Sequence, residues 1–126
     1  MKDLFVPYEL AVKLKEKGFS VSCFGGYSDT ETLHIQRVVC QSDIKGFCLA
    51  PTYQQVTDWL RDKHFIYIYT SLDSYREPYK LVPQIQKMEI TRTYVEFEKH
   101  YGHFDNTTKG NYEALNKVIE EALKLI

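Results

Sequence analysis

The chain has 126 residues, of which 44% are apolar and 26% charged, proportions that exclude the disordered and fibrous classes and fit one globular domain spanning 1–126. Its formal net charge of -1 supplies no global field towards phosphate or an anionic membrane. The longest apolar run, FIYIY, falls far short of the roughly 20 residues that cross a bilayer, and MKDLFVPYEL has no secretory pattern, so a cytoplasmic protein with no membrane partner is expected.

The first element is a helix within VPYELAVKLKEKGF. Pro7 suits a first helical position, where its missing N–H would be unsatisfied anyway. Leu10, Ala11 and Leu14 share a face opposite Glu9, Lys13 and Glu16, and Gly18 supplies a left-handed cap that folds Phe19 back towards Leu14. The helix should end near residue 17. FSVSCF then alternates Phe19, Val21 and Cys23 with serines as a short strand does, GGYSDTE reads as a turn, and TLHIQRVV reads as a second strand with Leu33, Ile35, Arg37 and Val39 on one side. CQSDIKGFCL reads as an irregular connection.

Residues 52–64 form a second helix. Thr52 followed by Gln55 is a capping-box pattern, and Pro51 and Val56 are placed as a hydrophobic staple. Tyr53, Val56, Trp59 and Leu60 fall on one stripe, with Gln54, Gln55, Asp58, Arg61 and Asp62 on the other, which makes Trp59 a core anchor. HFIYIYTS is a strand, followed by a turn in SLDSYREP. YKLVPQIQKMEI is another strand, which Pro83 confines to an edge or a bulge. In TRTYVEFEKHY, Thr93, Val95 and Phe97 point one way and Tyr94, Glu96 and Glu98 the other. GHFDNTTKGN reads as a loop. The closing helix, NYEALNKVIEEALKLI, carries Tyr112, Leu115, Val118, Ile119, Ala122, Leu123 and Ile126 on one stripe. The expected fold is therefore α+β, three helices packed on a mostly antiparallel sheet of four to five strands.

Three blocks, ELAVKLKEKGF, APTYQQVTDWLRDKH and YEALNKVIEEALKLI, together resemble a family of small uncharacterised proteins of Bacteroides-group bacteria and their prophages. The resemblance implies a phage- or mobile-element-associated origin and brings no active site with it.

Chemical motifs are sparse. Cys23, Cys40 and Cys48 with His100 and His103 lack the close ligand pairs zinc sites use, so no metal and no cofactor is expected. The odd number of cysteines fits free thiols in a reducing compartment. Cys48, just before the Thr52 cap, is the one candidate nucleophile, with His34, His64 or His100 as a base. The carboxylate pairs Glu96/Glu98 and Asp58/Asp62 read as solvated surface, and FGGY matches no phosphate-binding pattern. Between Arg76 and Lys109 acidic residues nearly match the basic ones, so nucleic acid is not an expected partner.

Ten tyrosines are the one compositional excess. If Ile66 and Ile68 face the helices, Phe65, Tyr67 and Tyr69 face the other side of the sheet, with Tyr94 outward on its own strand. Tyrosine gives large contact area at low entropic cost and is enriched at interfaces. The expected function is a non-enzymatic interaction module that contacts a protein partner or its own copy through Phe65, Tyr67, Tyr69 and Tyr94. Base stacking on single-stranded nucleic acid and a small Cys/His enzyme are the alternatives.

Overall fold

The computed structural model describes residues 2–39, 47–73, 79–89 and 95–126. Among these are three α-helices and two antiparallel sheets, an α+β architecture as the periodicities indicate, with the strands divided between a three-stranded and a four-stranded sheet. The chain forms two compact units, Met1–Val56 and Thr57–Ile126.

In the first unit, helix α1 spans Tyr8–Glu16 and buries Leu10, Ala11 and Leu14. Pro7 is its extended N-cap, with φ -62° and ψ 156°, one position earlier than expected. The C-terminus closes as a Schellman motif: Gly18 has φ 93°, Phe19 N–H donates to the Leu14 carbonyl at 3.0 Å and Gly18 N–H to that of Lys15 at 3.1 Å. This geometry satisfies carbonyls that the helix end would otherwise leave open. Phe19 therefore belongs to the helix cap and is buried there, not to a strand.

The first sheet has β1 (Cys23–Tyr27) at its centre, flanked by β2 (Leu33–Val39) and β3 (Cys48–Ala50), both antiparallel to it. Gly25 and Gly26, read as a turn from their type, lie in β1. The reason is tertiary: a Cβ on Gly25 would stand 2.9 Å from Phe5 Cε1 and 3.2 Å from Leu33 Cδ1. The turn itself is later, closed by Ser28 N–H on the Thr32 carbonyl at 3.1 Å, with Glu31 left-handed at φ 61°. Cys48 and Leu49, expected in an irregular connection, are in β3; residues 40–46 of that connection, including Cys40, lie outside the described residues, as do the side chains of Arg37 and Val39.

Helix α2 spans Tyr53–His64, and the division between the units falls within it. Its start confirms the capping box: Gln55 N–H donates to Thr52 Oγ1 at 3.2 Å, and Thr52 N–H donates to Gln55 Oε1 at 3.0 Å. Pro51 and Val56 are both buried, as a staple requires. Beyond the division Trp59 and Leu60 are buried.

The second unit holds β4 (Ile66–Asp73), β5 (Lys80–Met88), β6 (Val95–His100), β7 (Phe104–Asp105) and α3 (Thr108–Leu123). Strand β5 is central, with β4 on one side and β6 followed by β7 on the other, all antiparallel. Pro83 thus sits in the middle of the sheet and not on an edge. Its carbonyl accepts from Tyr101 N–H at 2.9 Å, and N and C=O of one strand residue point the same way, so its missing N–H also faces the β6–β7 side. That is where pairing lapses between His100 opposite Gln84 and Phe104 opposite Leu81, with Gly102 at φ 82°. A proline is tolerated at such an irregularity.

Helix α3 begins earlier than Asn111, with Thr107 as N-cap accepting from Gly110 N–H at 3.0 Å. It lies against β4, β5 and β7 and buries Ala114, Val118, Ile119, Ala122 and Leu123. Tyr112 and Leu115, expected on this stripe, are only half-buried, and Ile126 is exposed.

Candidate functional site

Residues directly opposite each other in an antiparallel pair share a face, so the registers of β4, β5 and β6 sort the second sheet into two sides. One side carries the rows Ile66–Lys87–Phe97 and Ile68–Ile85–Lys99, with Thr70 opposite Pro83 and Leu72 opposite Leu81. Ile66, Ile68 and Ile85 are buried there, the apolar surface that the buried stripe of α3 covers. The other side carries Tyr67–Gln86–Glu98 and Tyr69–Gln84–His100, with Ser71 opposite Val82 and Asp73 opposite Lys80. The candidate site is this second, polar and tyrosine-bearing side.

Its centre is Gln84, only 8% exposed. A buried amide is costly unless both ends are satisfied, and here they are. Tyr69 O–H donates to Gln84 Oε1 at 2.9 Å, and Gln84 Nε2 donates to Ser71 Oγ. This network fixes the Tyr69 ring and anchors its polar tip. Burial raises the Tyr69 phenol above its ordinary range, and the Glu98 carboxylate adds to the rise. Beside it a cavity of about 450 Å³ is lined by Ser71, Asp73, Val82, Gln84, His100 and His103 among others. His103 Nε2 lies 3.4 Å from Asp73 Oδ2 at its rim.

Tyr67 and Tyr69 thus stand together on one side of β4, opposite Ile66 and Ile68, and both are half-buried. Phe65 does not continue the alternation. It precedes β4 in a left-handed conformation, φ 57°, with its N–H donating to the Arg61 carbonyl at 3.2 Å and its carbonyl accepting from Met88 N–H at 2.9 Å. It is the joint between α2 and β4, a conformation rarely adopted by a bulky residue. Tyr94 and Thr93 lie outside the described residues, as do Arg76, Arg92 and the side chain of Glu96. Gln84, Ser71 and Asp73 were not foreseen, and His103 was weighed only as a metal ligand. Ser71 and Asp73 follow from the same period-2 reading as Tyr67 and Tyr69, whereas Gln84 needed the β4–β5 register and His103 the fold of the β6–β7 connection.

The face carries Glu98, Asp73 and Asp105 against Lys80, whose ammonium is engaged by Asp105. Aromatic rings among carboxylates are poorly suited to a phosphate backbone. Among the described residues no group of three or more His, Cys, Asp and Glu is placed to hold a metal ion, and no helix is long and apolar enough to cross a membrane.

The candidate nucleophile Cys48 sits in β3, paired with Tyr27 and 3% exposed. Burial pushes its thiol up, opposed in part by Lys15, so the reactive thiolate is disfavoured near neutral pH. Cys23, also buried and free, is pushed up to about 11, by burial first and then by Cys48. A thiol whose folded pKa exceeds its unfolded value contributes stability that is complete below the unfolded pKa and disappears as pH rises through the folded one. From an ordinary value of 9.0 to about 11, that is a window of alkaline pH in which stability falls, by up to about 3 kcal/mol. The urea midpoint of the native protein should drop more steeply between pH 8 and pH 11 than that of Cys23→Ala. Parallel pH profiles would remove Cys23 as the cause.

Comparison of the chain with known protein families, with curated proteins and with solved structures finds no match.

Proposed function

We propose that this chain is a non-enzymatic interaction module of the cytoplasm, contacting a protein partner or a second copy through the tyrosine-bearing side of its second sheet. The phage or mobile-element association implied by the resemblance belongs to the same reading. The observation that carries it is the pairing of Tyr67 and Tyr69 on the side of β4 opposite the buried Ile66 and Ile68, with Tyr69 held by Gln84. Pre-fixed aromatic rings with polar tips bind at low entropic cost.

The double variant Tyr67→Ser, Tyr69→Ser tests it. Self-association or partner capture should weaken at least about tenfold, as expected for paired aromatic anchors. The thermal midpoint should fall by no more than the cost of leaving the buried Gln84 Oε1 without its Tyr69 donor, about 1–3 kcal/mol, because Ile66, Ile68 and Ile85 on the other side remain. A large fall in midpoint with unchanged mass and unchanged capture would make these tyrosines core residues and end the reading.

A further inference from the structure

The lapse in pairing between β6 and β7 lies beside a hollow on the tyrosine-bearing side of the second sheet. Strand β5 pairs with β6 as far as Gln84 and with β7 from Leu81. Val82 and Pro83 therefore lie opposite the connection, where left-handed Gly102 turns the chain. The cavity of about 450 Å³ described above occupies this place. Val82 and Gln84 form its floor, 7% and 8% exposed. Ser71 and Asp73 line it from β4, and His100 and His103 from the opposite side.

The lining selects a ligand by charge and shape. With histidine counted neutral, Asp73 is the one charged residue among those that line the cavity, and its side chain is 18% exposed. Lys80, opposite it in the register, directs its ammonium to Asp105. A half-buried carboxylate repels anions and attracts a cation more strongly than one in open water does. It accepts at about four lone-pair sites, so the contact with His103 does not exhaust it. Ser71 Oγ accepts from Gln84 Nε2 and carries a second lone pair. Ser71 and Asp73 stand two positions apart on one side of β4, about 7 Å along the strand. An ammonium is too compact to serve both, whereas a guanidinium spreads five donors over a planar fork. The imidazoles of His100 and His103 add flat rings of the kind on which a guanidinium stacks.

We propose that this cavity receives an arginine side chain of a protein partner, with the guanidinium on Asp73 and Ser71 and the aliphatic stem over Val82. The inference deepens the interaction reading above and rests on it, adding the chemistry that the partner presents beside the tyrosines. Tyr69, Gln84 and His100 form one row across the sheet, so an arginine seated here lies next to the fixed Tyr69 ring. The Tyr69–Gln84–Ser71 hydrogen bonds hold the floor and one wall in place before the partner arrives, which lowers the cost of ordering on binding. Arginine and tyrosine are also the residue types that dominate interface energetics.

The experiment is an NMR titration of the full chain with Nα-acetylarginine methylamide and with its lysine and citrulline counterparts, the last a neutral isostere. The arginine amide should shift the backbone amides of Ser71, Asp73, Gln84 and His103 saturably. It should bind at least about tenfold more tightly than either of the others. Asp73→Asn should weaken it at least about tenfold, and His103→Ala, at an exposed position, should weaken it without changing the thermal midpoint. No saturable shift at these amides overturns the proposal, as does binding that is unchanged in Asp73→Asn. Equal affinity for the lysine amide reduces the site to a bare charge and overturns the guanidinium assignment. Should Asp73→Asn fail to fold, the citrulline comparison on the native protein removes the same charge from the ligand side, and equal binding of citrulline and arginine overturns the proposal. Association lost in Tyr67→Ser, Tyr69→Ser but unchanged in Asp73→Asn overturns the arginine pocket while leaving the tyrosine face in place.

Discussion

Replacing Gly110 with alanine will destabilise the protein by about 3 kcal/mol or more, the upper end of the range for overpacking. Gly110 lies in the first turn of α3, where β7 passes close beneath the helix. A Cβ there would stand 1.8 Å from the Asp105 carbonyl oxygen and 2.7 Å from its carbon. Both are backbone atoms, so no side-chain rotation relieves the overlap. Either α3 or β7 must shift, and the shift disturbs the Thr107 cap and the pairing of Asp105 with Lys80. The sign is what makes the test decisive. Helix propensity alone predicts that Gly→Ala within a helix stabilises by about 1 kcal/mol. A urea midpoint that rises or stays level in Gly110→Ala would show that the close approach of α3 and β7 is absent.

Trp59→Ala should cost about 3–5 kcal/mol, the usual loss for a buried aromatic. Trp59 is 6% exposed, and its ring meets that of His64 edge-on at 4.6 Å and 74°. Burial, with Lys63 and Lys87 nearby, lowers the His64 pKa. A histidine with a lowered folded pKa draws stability away as pH falls below its unfolded value, because the unfolded chain then binds the extra proton. Removing the indole admits water, so the His64 pKa should rise towards its ordinary value and that acid-side slope should shrink. An NMR titration of His64 in Trp59→Phe and Trp59→Ala separates the two effects. An unchanged denaturation midpoint in Trp59→Ala would mean that the indole is not an anchor of the core.

The features legible from the chain alone were those whose cause is local. Thr52 and Gln55 find each other within one turn, so the capping box could be read as spelling. Gly18 ends α1 for the same reason, since the Schellman bonds connect residues at most five apart. The alternation of Ile66, Tyr67, Ile68 and Tyr69 sorts side chains to two sides whatever the strand pairs with. The stripe Val118, Ile119, Ala122 and Leu123 likewise needs only the helical period.

Where reading failed, close backbone packing and pairing that residue types do not spell out decided the matter. Gly25 and Gly26 have the composition of a turn, yet Phe5 and Leu33 approach too closely for a side chain at Gly25, and the glycines make a strand possible there. Gly110 looked like loop composition for the same reason and is instead the contact point of a helix and a strand. Pro83 argued for an edge, but the lapse between β6 and β7 lets β5 occupy the centre. Phe65 fitted the alternation and was taken out of it by the left-handed joint between α2 and β4.

The existence of three helices, the capping box of α2, the Gly18 end of α1 and the faces of β4 were determined by the sequence itself, because each depends on residues within about one turn or two strand positions of one another. Sheet membership, the central place of β5 and the burial of Gln84 between Tyr69 and Ser71 were decided only by tertiary structure. Hydrogen-bond registers join residues many positions apart, and no local pattern specifies which distant strand supplies the partner.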